Sequence, residues 1–246
     1  MNPIGVVETK HMIEDIPAVL LKPEGEGPFP TLIFYHGWTS DKENQRFRGR
    51  IFASYGWQVL IPDAPYHGER GQLDYEGEGV AEEYFFKVIF QEIKEFPKLL
   101  KFLEEETKMK KNTLCLSGHS MGAILSGGVL AKYPDKITNV VAYNGAWDWE
   151  KLRQDWDATL PEEEQQELER LNPLANLDSL VKKRFLLANG EDDSSVNPML
   201  QKDFYEKMKE KVGVKEYQTF LTFEDTAHVT TTQMMEEGVL FLEKWK

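Results

Sequence analysis

The pentapeptide GHSMG at residues 118–122 constrains this chain more than any other stretch of its sequence. A short apolar run precedes it, and a segment rich in small residues follows it as far as Gly128. The pattern Gly-x-Ser-x-Gly in such a setting is typical of a sharp turn from a strand into a helix. Small residues belong on both sides because the backbone at the tip is strained and closely packed. The sequence therefore predicts strand, elbow and helix over residues 112–128, with Ser120 at the tip.

A serine at such a turn becomes a nucleophile when a histidine accepts its proton and an acid orients the histidine. In this arrangement the chain order is Ser, acid, His, each at the carboxyl end of a sheet strand. Of the five histidines only His228 follows Ser120, directly after the last predicted strand. The acid should follow the penultimate predicted strand, where Glu191, Asp192 and Asp193 are adjacent. Their chemistry alone leaves the choice among these three open.

Two backbone N–H groups are candidates for binding the oxyanion that attack by Ser120 would form. Met121 begins the helix after the elbow, where the helix dipole also favours negative charge. The second donor should follow the buried strand TLIFYHG, which makes Trp38 the natural choice. We expect the Trp38 side chain to line the substrate pocket as well. The neighbouring His36, and His67 in a later loop, are interpreted as structural residues.

Apolar strand-like runs alternate with helical stretches along most of the chain. Two β-like runs within residues 6–21 predict an initial hairpin, and the later alternation predicts a parallel sheet with helices on both faces. The stretch 80–107 is helical in pattern but contains Pro97, which predicts a kink or a break. The fold class is therefore α/β.

Residues 147–172, called the cap segment below, differ from their surroundings in composition. They contain three tryptophans and then the acidic stretch PEEEQQELERL, and they are longer than a normal crossover between strands. We interpret them as a small helical cap inserted within a single domain that spans residues 1–246. Trp147, Trp149 and Trp156 of the cap segment, together with Tyr66, are candidate pocket residues. For each tryptophan, packing of the cap onto the body is the alternative.

Charge and composition exclude several classes of partner. The net charge is −13 with a sequence pI near 5.0, and such a surface repels nucleic acids and anionic membranes. The single cysteine, Cys115, excludes an internal disulfide. We expect neither a signal peptide nor a membrane span, hence a cytoplasmic protein. Motifs for zinc, for phosphate and for dinucleotides are missing from the sequence, so no metal and no cofactor is expected. The oligomeric state is left open.

Five stretches of the sequence together resemble the α/β-hydrolase superfamily along nearly the whole chain. The combination of FYHG with PDAP-x-HG-x-R is similar to a branch of small bacterial carboxylesterases, akin to prolyl-oligopeptidase-like and dienelactone-hydrolase-like proteins. The matching stretches are FYHGWTS (34–40), PDAPYHGERG (62–71), GHSMG (118–122), NGEDDSSVNP (189–198) and AHVT (227–230).

The resemblance implies an α/β-hydrolase fold of about eight strands. In this family the acid commonly sits in the frame G-x-x-D-x-x-V-P, and residues 190–196 fit that frame with the acid at Asp193. Two departures, at Asn189 and Asn197, keep Asp192 as the alternative.

The same resemblance implies a serine hydrolase of the esterase type, acting through a Ser-His-Asp triad and an acyl-enzyme, but it does not fix the substrate. The aromatic residues of the cap segment suggest a small, short-chain carboxylic ester. Peptidases of the oligopeptidase type usually carry a large extra domain, and we expect none here. A serine peptidase, amidase or acyltransferase that uses the same triad is therefore the second hypothesis. A non-catalytic ligand-binding protein is the third hypothesis. It comes last because such proteins often lose a triad member, and none is evidently lost here.

Overall fold

One eight-stranded sheet runs through residues 5–245, which are the residues that the computed structural model describes. Its spatial order is β1-β2-β4-β3-β5-β6-β7-β8. The first two strands form a hairpin that pairs antiparallel with β4, and all later pairs are parallel. The strands are β1 (Val6–Ile13), β2 (Ile16–Pro23), β3 (Phe29–Tyr35), β4 (Gln58–Pro62), β5 (Met109–His119), β6 (Asn139–Tyr143), β7 (Arg184–Gly190) and β8 (Gln218–Phe223).

Helices cover both faces of this sheet, as the alternating sequence pattern predicts. Helices α1 and α8 bury their apolar residues on one face, and α2, α3, α4, α5 and α7 bury theirs on the other. This is the mostly parallel, two-faced sheet of the α/β-hydrolase fold, so the predicted fold class is confirmed. The helices are α1 (Lys42–Ser54), α2 (Val80–Glu106), α3 (Met121–Lys132), α4 (Trp149–Asp155), α5 (Glu162–Leu171), α6 (Leu177–Leu180), α7 (Met199–Val212) and α8 (Thr232–Lys244).

The central strands read as continuous apolar runs because both of their faces are covered. All five residues of β4 and all five of β6 are buried, and six of the seven residues of β7 are buried. In contrast, β1 alternates between partly buried and exposed positions because it lies at the edge of the sheet. The sheet therefore presents the carboxyl ends of β3, β5, β7 and β8 along one side, where the predicted site residues follow.

Helix α2 continues through Pro97, so a break at this proline is a wrong prediction. A proline inside a helix removes one backbone hydrogen bond and usually costs about 3 kcal/mol. Apolar side chains are buried on both sides of it, among them Phe96, Leu99 and Leu103. Each such side chain contributes roughly 1.5–3 kcal/mol when it is buried. Burial along the whole length of the helix therefore outweighs the lost hydrogen bond.

The cap segment consists mainly of α4 and α5, which lie between β6 and β7 in the chain. Its apolar side chains, including Leu152 of α4 and Leu168 of α5, lie in the same core cluster as those of α2 and α3. The segment is therefore packed into the helical layer on that face of the sheet.

Among the helices of residues 5–245, none combines the length and the apolar character that a membrane span requires.

Candidate active site

The elbow between β5 and α3 has the strained geometry that its sequence predicts. Ser120 lies between the last residue of β5 and the first of α3, with φ of 55° and ψ of −120°. Its backbone N–H donates to the carbonyl of Tyr143 at 2.9 Å, and its own carbonyl accepts from Ala123 at 2.9 Å. A positive φ is costly for a residue that carries a β-carbon and persists only where the surroundings enforce it. Strand β6 and the first turn of α3 supply that enforcement.

The two glycines of the pentapeptide allow α3 to lie directly against the sheet. A β-carbon at Gly118 would lie 2.4 Å from the carbonyl carbon of Gly122. One at Gly122 would lie 2.2 Å from the carbonyl oxygen of Tyr35, at the end of β3. Both clashes are with backbone atoms, which cannot rotate away. The requirement for small residues therefore follows from two close contacts of α3, with β5 at Gly118 and with the end of β3 at Gly122.

Replacing Gly122 with alanine is expected to lower the free energy of unfolding by about 3 kcal/mol, because the added methyl group overlaps the backbone of β3. Chemical denaturation monitored by circular dichroism measures this loss. Gly79→Ala is the matched control: its backbone is in the left-handed region, with φ of 76° and ψ of −3°, and no atom lies within 4 Å of its added β-carbon. It should cost only about 1 kcal/mol of backbone strain. Equal losses in the two variants would contradict the packing account.

His228 and Asp193 form a hydrogen-bonded pair beside the elbow. The Nδ1–H of His228 donates to Oδ2 of Asp193 at 2.7 Å, and the side chain of Asp193 is fully buried. The other oxygen, Oδ1, accepts the backbone N–H groups of Ser195 and Val196, each at 2.9 Å. Donation from Nδ1 leaves Nε2 of the neutral ring free to accept a proton. The pair therefore has the geometry of a general base and its orienting acid.

The acid of this pair is held in its charged form. Burial alone would raise the pKa of Asp193, but the hydrogen bonds from His228, Val196 and Ser195 outweigh it and hold the pKa below its ordinary value. The neighbouring Asp192, the alternative from the sequence, is exposed. Of the acidic candidates in this loop, the structure thus brings Asp193 to the histidine.

A cavity of about 480 Å³ opens over the elbow and holds Ser120 and His228 in its wall. Trp38 and Trp156, both predicted from the sequence, also line it. The contribution of α2 was not predicted, because its amphipathic pattern does not distinguish residues that face a cavity from those that face the core. The lining residues are Trp38, Thr39, Ala81, Glu82, Phe85, Ser120, Trp156, Ser195, Val196 and His228.

Trp147 and Trp149 do not line this cavity, which corrects their predicted place in the pocket. Both are fully buried, and Nε1 of Trp147 donates to the carbonyl of Ala123 at 3.0 Å. A β-carbon at Gly127 would lie 2.8 Å from Nε1 of Trp147, and one at Gly128 would lie 2.3 Å from Cη2 of Trp149. The two glycines of α3 thus make room for the two indoles. The packing alternative holds for both residues.

Tyr66 also lies outside the cavity lining and needs the same correction. It is 40% exposed with φ of 61°, and its ring contacts that of Tyr84 at 5.4 Å between centroids. Its carbonyl accepts a hydrogen bond from the hydroxyl of Tyr75 at 2.7 Å. Tyr66 therefore belongs to the outer surface of the loop after β4.

The backbone N–H groups of Trp38 and Met121 are both available for an oxyanion. A β-carbon at Gly37 would lie 3.4 Å from Cβ of Ser120 and 3.3 Å from the carbonyl of His119, so the loop after β3 touches the elbow. Within residues 5–245, neither N–H donates to an internal acceptor. Unpaired donors beside a nucleophile are the arrangement that an oxyanion hole requires.

His36 fixes the loop that carries Trp38. Its Nδ1–H donates to the carbonyl of Gly37 at 2.8 Å, and its Nε2 accepts the backbone N–H of Ala64 at 3.0 Å. One bond needs a protonated nitrogen and the other a bare one, so the ring is neutral. Burial lowers its pKa to about 4. The ring therefore joins the loops after β3 and β4, in agreement with its structural interpretation.

The free energy of unfolding should depend on pH through two buried histidines, His36 and His119. Burial, together with the neighbouring His228, lowers the pKa of His119 to about 3. Below the ordinary histidine pKa of 6.5, these side chains bind protons in the unfolded chain but stay neutral in the folded protein. The free energy of unfolding therefore falls as the pH decreases toward 4. Each ring contributes a slope of up to about 1.4 kcal/mol per pH unit. The buried carboxyl of Glu92, whose pKa burial raises, acts in the opposite direction.

The variant His36→Gln isolates one of these contributions. Urea unfolding at several pH values between 7 and 4.5 gives the dependence of the free energy of unfolding on pH. For this variant the dependence should be less steep than for the unmodified protein, by the equivalent of about one bound proton, whatever the difference in stability at pH 7. The unmodified protein serves as the internal reference for all other groups. Identical slopes for the two proteins would contradict a neutral, buried His36.

Groups that could hold a metal ion are not evident in the described part of the chain. Within residues 5–245, no three side chains of His, Cys, Asp or Glu come together in a suitable cluster. Cys115 is buried in β5 beside Thr138 and Asn139, and burial raises its pKa to about 11. Its thiol is therefore protonated and acts as a core residue.

The prolyl oligopeptidase family model matches residues 74–245. Esterase YjfP from Escherichia coli (strain K12) is 29% identical over 202 residues, 77% of this chain and 79% of that protein. YitV from Bacillus subtilis (strain 168) is 30% identical over 196 residues, 73% and 74% of the two chains. The structure of TT1662 from Thermus thermophilus superposes with a TM-score of 0.82 at 22% identity and covers 98% of each chain.

Proposed function

The chain belongs to the prolyl oligopeptidase family and is a serine hydrolase, and we propose that it is a carboxylesterase for small, short-chain esters. The carrying observation is the His228–Asp193 hydrogen bond of 2.7 Å at a cavity that also holds Ser120. The similarity to Esterase YjfP supports an ester as the substrate.

In the proposed acylation step, Ser120 attacks the ester carbonyl through its Oγ atom. Nε2 of His228 accepts the hydroxyl proton, and the charged Asp193 stabilises the imidazolium that forms. The N–H groups of Trp38 and Met121 bind the oxyanion of the tetrahedral intermediate, with the positive end of α3 adding to the stabilisation. The intermediate collapses when His228 returns the proton to the departing alcohol, which leaves Ser120 acylated.

Deacylation repeats the same sequence with water as the nucleophile. His228 removes a proton from a water molecule in the cavity, and the hydroxide attacks the acyl carbonyl on Ser120. The same two N–H groups bind the second oxyanion. Collapse of this intermediate releases the carboxylic acid, and the proton on His228 returns to Oγ of Ser120. No cofactor takes part in either step.

The dimensions of the cavity support a small substrate. Its volume of about 480 Å³ lies in the lower part of the range for small-molecule pockets, about 300–1,000 Å³. Its walls combine the aromatic rings of Trp38, Phe85 and Trp156 with the aliphatic Val196. Such a wall favours a short apolar group over a long chain, which would extend into solvent.

We propose a single domain over residues 1–246, of which 1–4 and 246 lie outside the described residues, with the cap segment beside the cavity. The contribution of Trp156 to the cavity wall supports this arrangement. A cytoplasmic location, and a lack of nucleic acid or membrane partners, stay predictions from the sequence.

A series of p-nitrophenyl esters tests the function and the chain length together. We expect kcat/KM to be greatest for acetate or butyrate and to fall for octanoate and longer chains. The family also contains peptidases by its name, so p-nitroanilides of matched acyl groups test the amidase alternative. Product analysis with added alcohol tests acyl transfer. Faster turnover of the anilides than of the esters would overturn the proposal.

A further inference from the structure

Three aromatic rings form a continuous wall of the cavity that holds Ser120. The rings of Phe85 and Trp156 meet edge to face, with centroids 4.8 Å apart and planes at 85°. The ring of Trp38 also contacts that of Phe85, with centroids 5.8 Å apart and planes at 52°. The three residues come from α2, from the turn after α4 and from the loop after β3. These three rings line the cavity at large mutual angles and are called the aromatic box below.

A carboxylate stands at the same cavity. Glu82 lies on α2 three residues before Phe85, which places the two on one face of the helix. Among the described residues, Glu82 has neither an ion-pair partner nor a hydrogen-bond partner for its side chain. The next residue, Glu83, pairs instead with Lys87 at 3.3 Å and lies outside this cavity. An acid in the first turn suits the helix dipole at either position, but only Glu82 faces the cavity unpaired.

The charge of the cavity lining has one sign. Its residues include Glu82 but neither lysine nor arginine, and the whole chain carries a net charge of −13. Aromatic faces attract cations through the negative charge on their π-systems, and tryptophan does so most strongly. A neutral apolar group would gain only contact with the rings. A cation of similar size would gain the attraction of the rings and of the carboxylate as well.

We propose that this aromatic box and Glu82 select esters that carry an ammonium group. The proposal rests on the proposed ester hydrolysis and narrows its substrate class: a small carboxylic ester with a quaternary or protonated amine next to the scissile bond. The box holds the ammonium group while Ser120 attacks the carbonyl in the same cavity. Glu82 supplies the counter-charge at the rim.

Two esters of nearly the same shape test this preference. Acetylcholine and 3,3-dimethylbutyl acetate differ in that a positively charged nitrogen replaces a carbon atom. We expect kcat/KM to be about tenfold higher for acetylcholine, since cation–π attraction and a nearby carboxylate together reach that size. The ratio should decrease as salt is added, because the carboxylate lies near solvent. Equal or faster turnover of the neutral ester would overturn the proposal.

Variants assign the preference to its sources. Glu82→Gln should lower the ratio of kcat/KM for acetylcholine to kcat/KM for the neutral ester about threefold. Trp156→Leu should lower the preference about threefold as well, because one ring of the box is lost. Glu83→Gln removes the same charge from the neighbouring position and should leave the ratio unchanged. An equal effect of both glutamate substitutions would reduce the preference to general surface charge and contradict a built box.

Binding separates this proposal from the proposed function. Choline and its neutral counterpart 3,3-dimethylbutanol can be titrated into the protein by calorimetry, which needs no turnover. We expect choline to bind about tenfold more tightly, and Glu82→Gln to remove a large part of the difference. If neither ester is hydrolysed but choline binds selectively, the esterase proposal fails and the ammonium site stands. If the neutral ester is hydrolysed and choline shows no selectivity, the ammonium site fails and the esterase stands.

Discussion

Replacing Ser120 with alanine should lower kcat for p-nitrophenyl acetate by a factor of at least about 10⁴. The substitution removes the only atom that forms the acyl-enzyme bond, so the two-step route closes. Residual turnover should reflect the oxyanion donors and the cavity alone. Alanine carries the same β-carbon as serine, so the strained backbone at φ 55° stays as it is. The loss should therefore be one of chemistry and not of folding.

Two controls accompany this measurement. Thermal unfolding of Ser120→Ala should agree with that of the unmodified protein within about 1 kcal/mol, because neither cavity nor clash is created. Ser126→Ala, on the same helix, removes a buried hydroxyl that donates to the carbonyl of Gly122 at 2.7 Å. It should reduce stability by about 1 kcal/mol and leave kcat nearly unchanged. Undiminished turnover in Ser120→Ala would end the serine mechanism proposed above.

Asp193→Asn should lower kcat by about 10³ to 10⁴, the second largest effect that we expect. The amide is neutral, so it no longer stabilises the imidazolium of His228 during attack. It can also donate to Nδ1, which would favour the tautomer that carries its proton on Nε2. That tautomer cannot accept the proton of Ser120. The expected result is a loss in kcat with KM changed little, measured on the same ester.

The neighbouring Asp192→Asn provides the matched control for this substitution. Asp192 is exposed, and its backbone N–H bonds to the carbonyl of Thr226 whatever its side chain. Its kcat should stay within about twofold of the unmodified protein, since an exposed charge contributes little here. A large loss in Asp192→Asn with a small one in Asp193→Asn would exchange the roles of the two residues. It would show that the loop rearranges when substrate binds.

The elbow and the order of elements could be predicted because they depend on local or ordered information. The glycines on both sides of Ser120 are required by steric contacts that any such turn makes. His228 is the only histidine that follows Ser120 in the sequence. The strands of a parallel sheet are buried on both faces, so their apolar runs are unmistakable. The long helix α2 was harder, since Pro97 signals a break that burial overrides.

The walls of the cavity could not be predicted in the same way. Trp147 and Trp149 share composition and neighbourhood with Trp156, yet only Trp156 reaches the cavity. The difference comes from Gly127 and Gly128 of α3, because the lack of a side chain at these positions leaves space for the indoles of Trp147 and Trp149. Such pairings follow from tertiary packing, to which a single sequence gives no periodic signal. For the same reason, the sequence did not predict that Glu82 and Phe85 line the cavity.

The acid illustrates an intermediate case. Three adjacent carboxylates in the loop after β7 are chemically equivalent in the sequence, and only a motif frame favoured Asp193. The geometry distinguishes them physically: Oδ1 of Asp193 accepts two backbone N–H groups, which turns Oδ2 toward His228. This local turn is what separates an orienting acid from a solvated one.

A crystal structure of the protein after reaction with a small alkyl fluorophosphonate tests the central claim most directly. Such a reagent forms a covalent bond with an activated serine and imitates the tetrahedral intermediate. We predict phosphorus bonded to Oγ of Ser120, its oxygen within about 3 Å of the N–H groups of Trp38 and Met121, and His228 still paired with Asp193. An unmodified Ser120, or a phosphonate oxygen directed away from both N–H groups, would contradict the account.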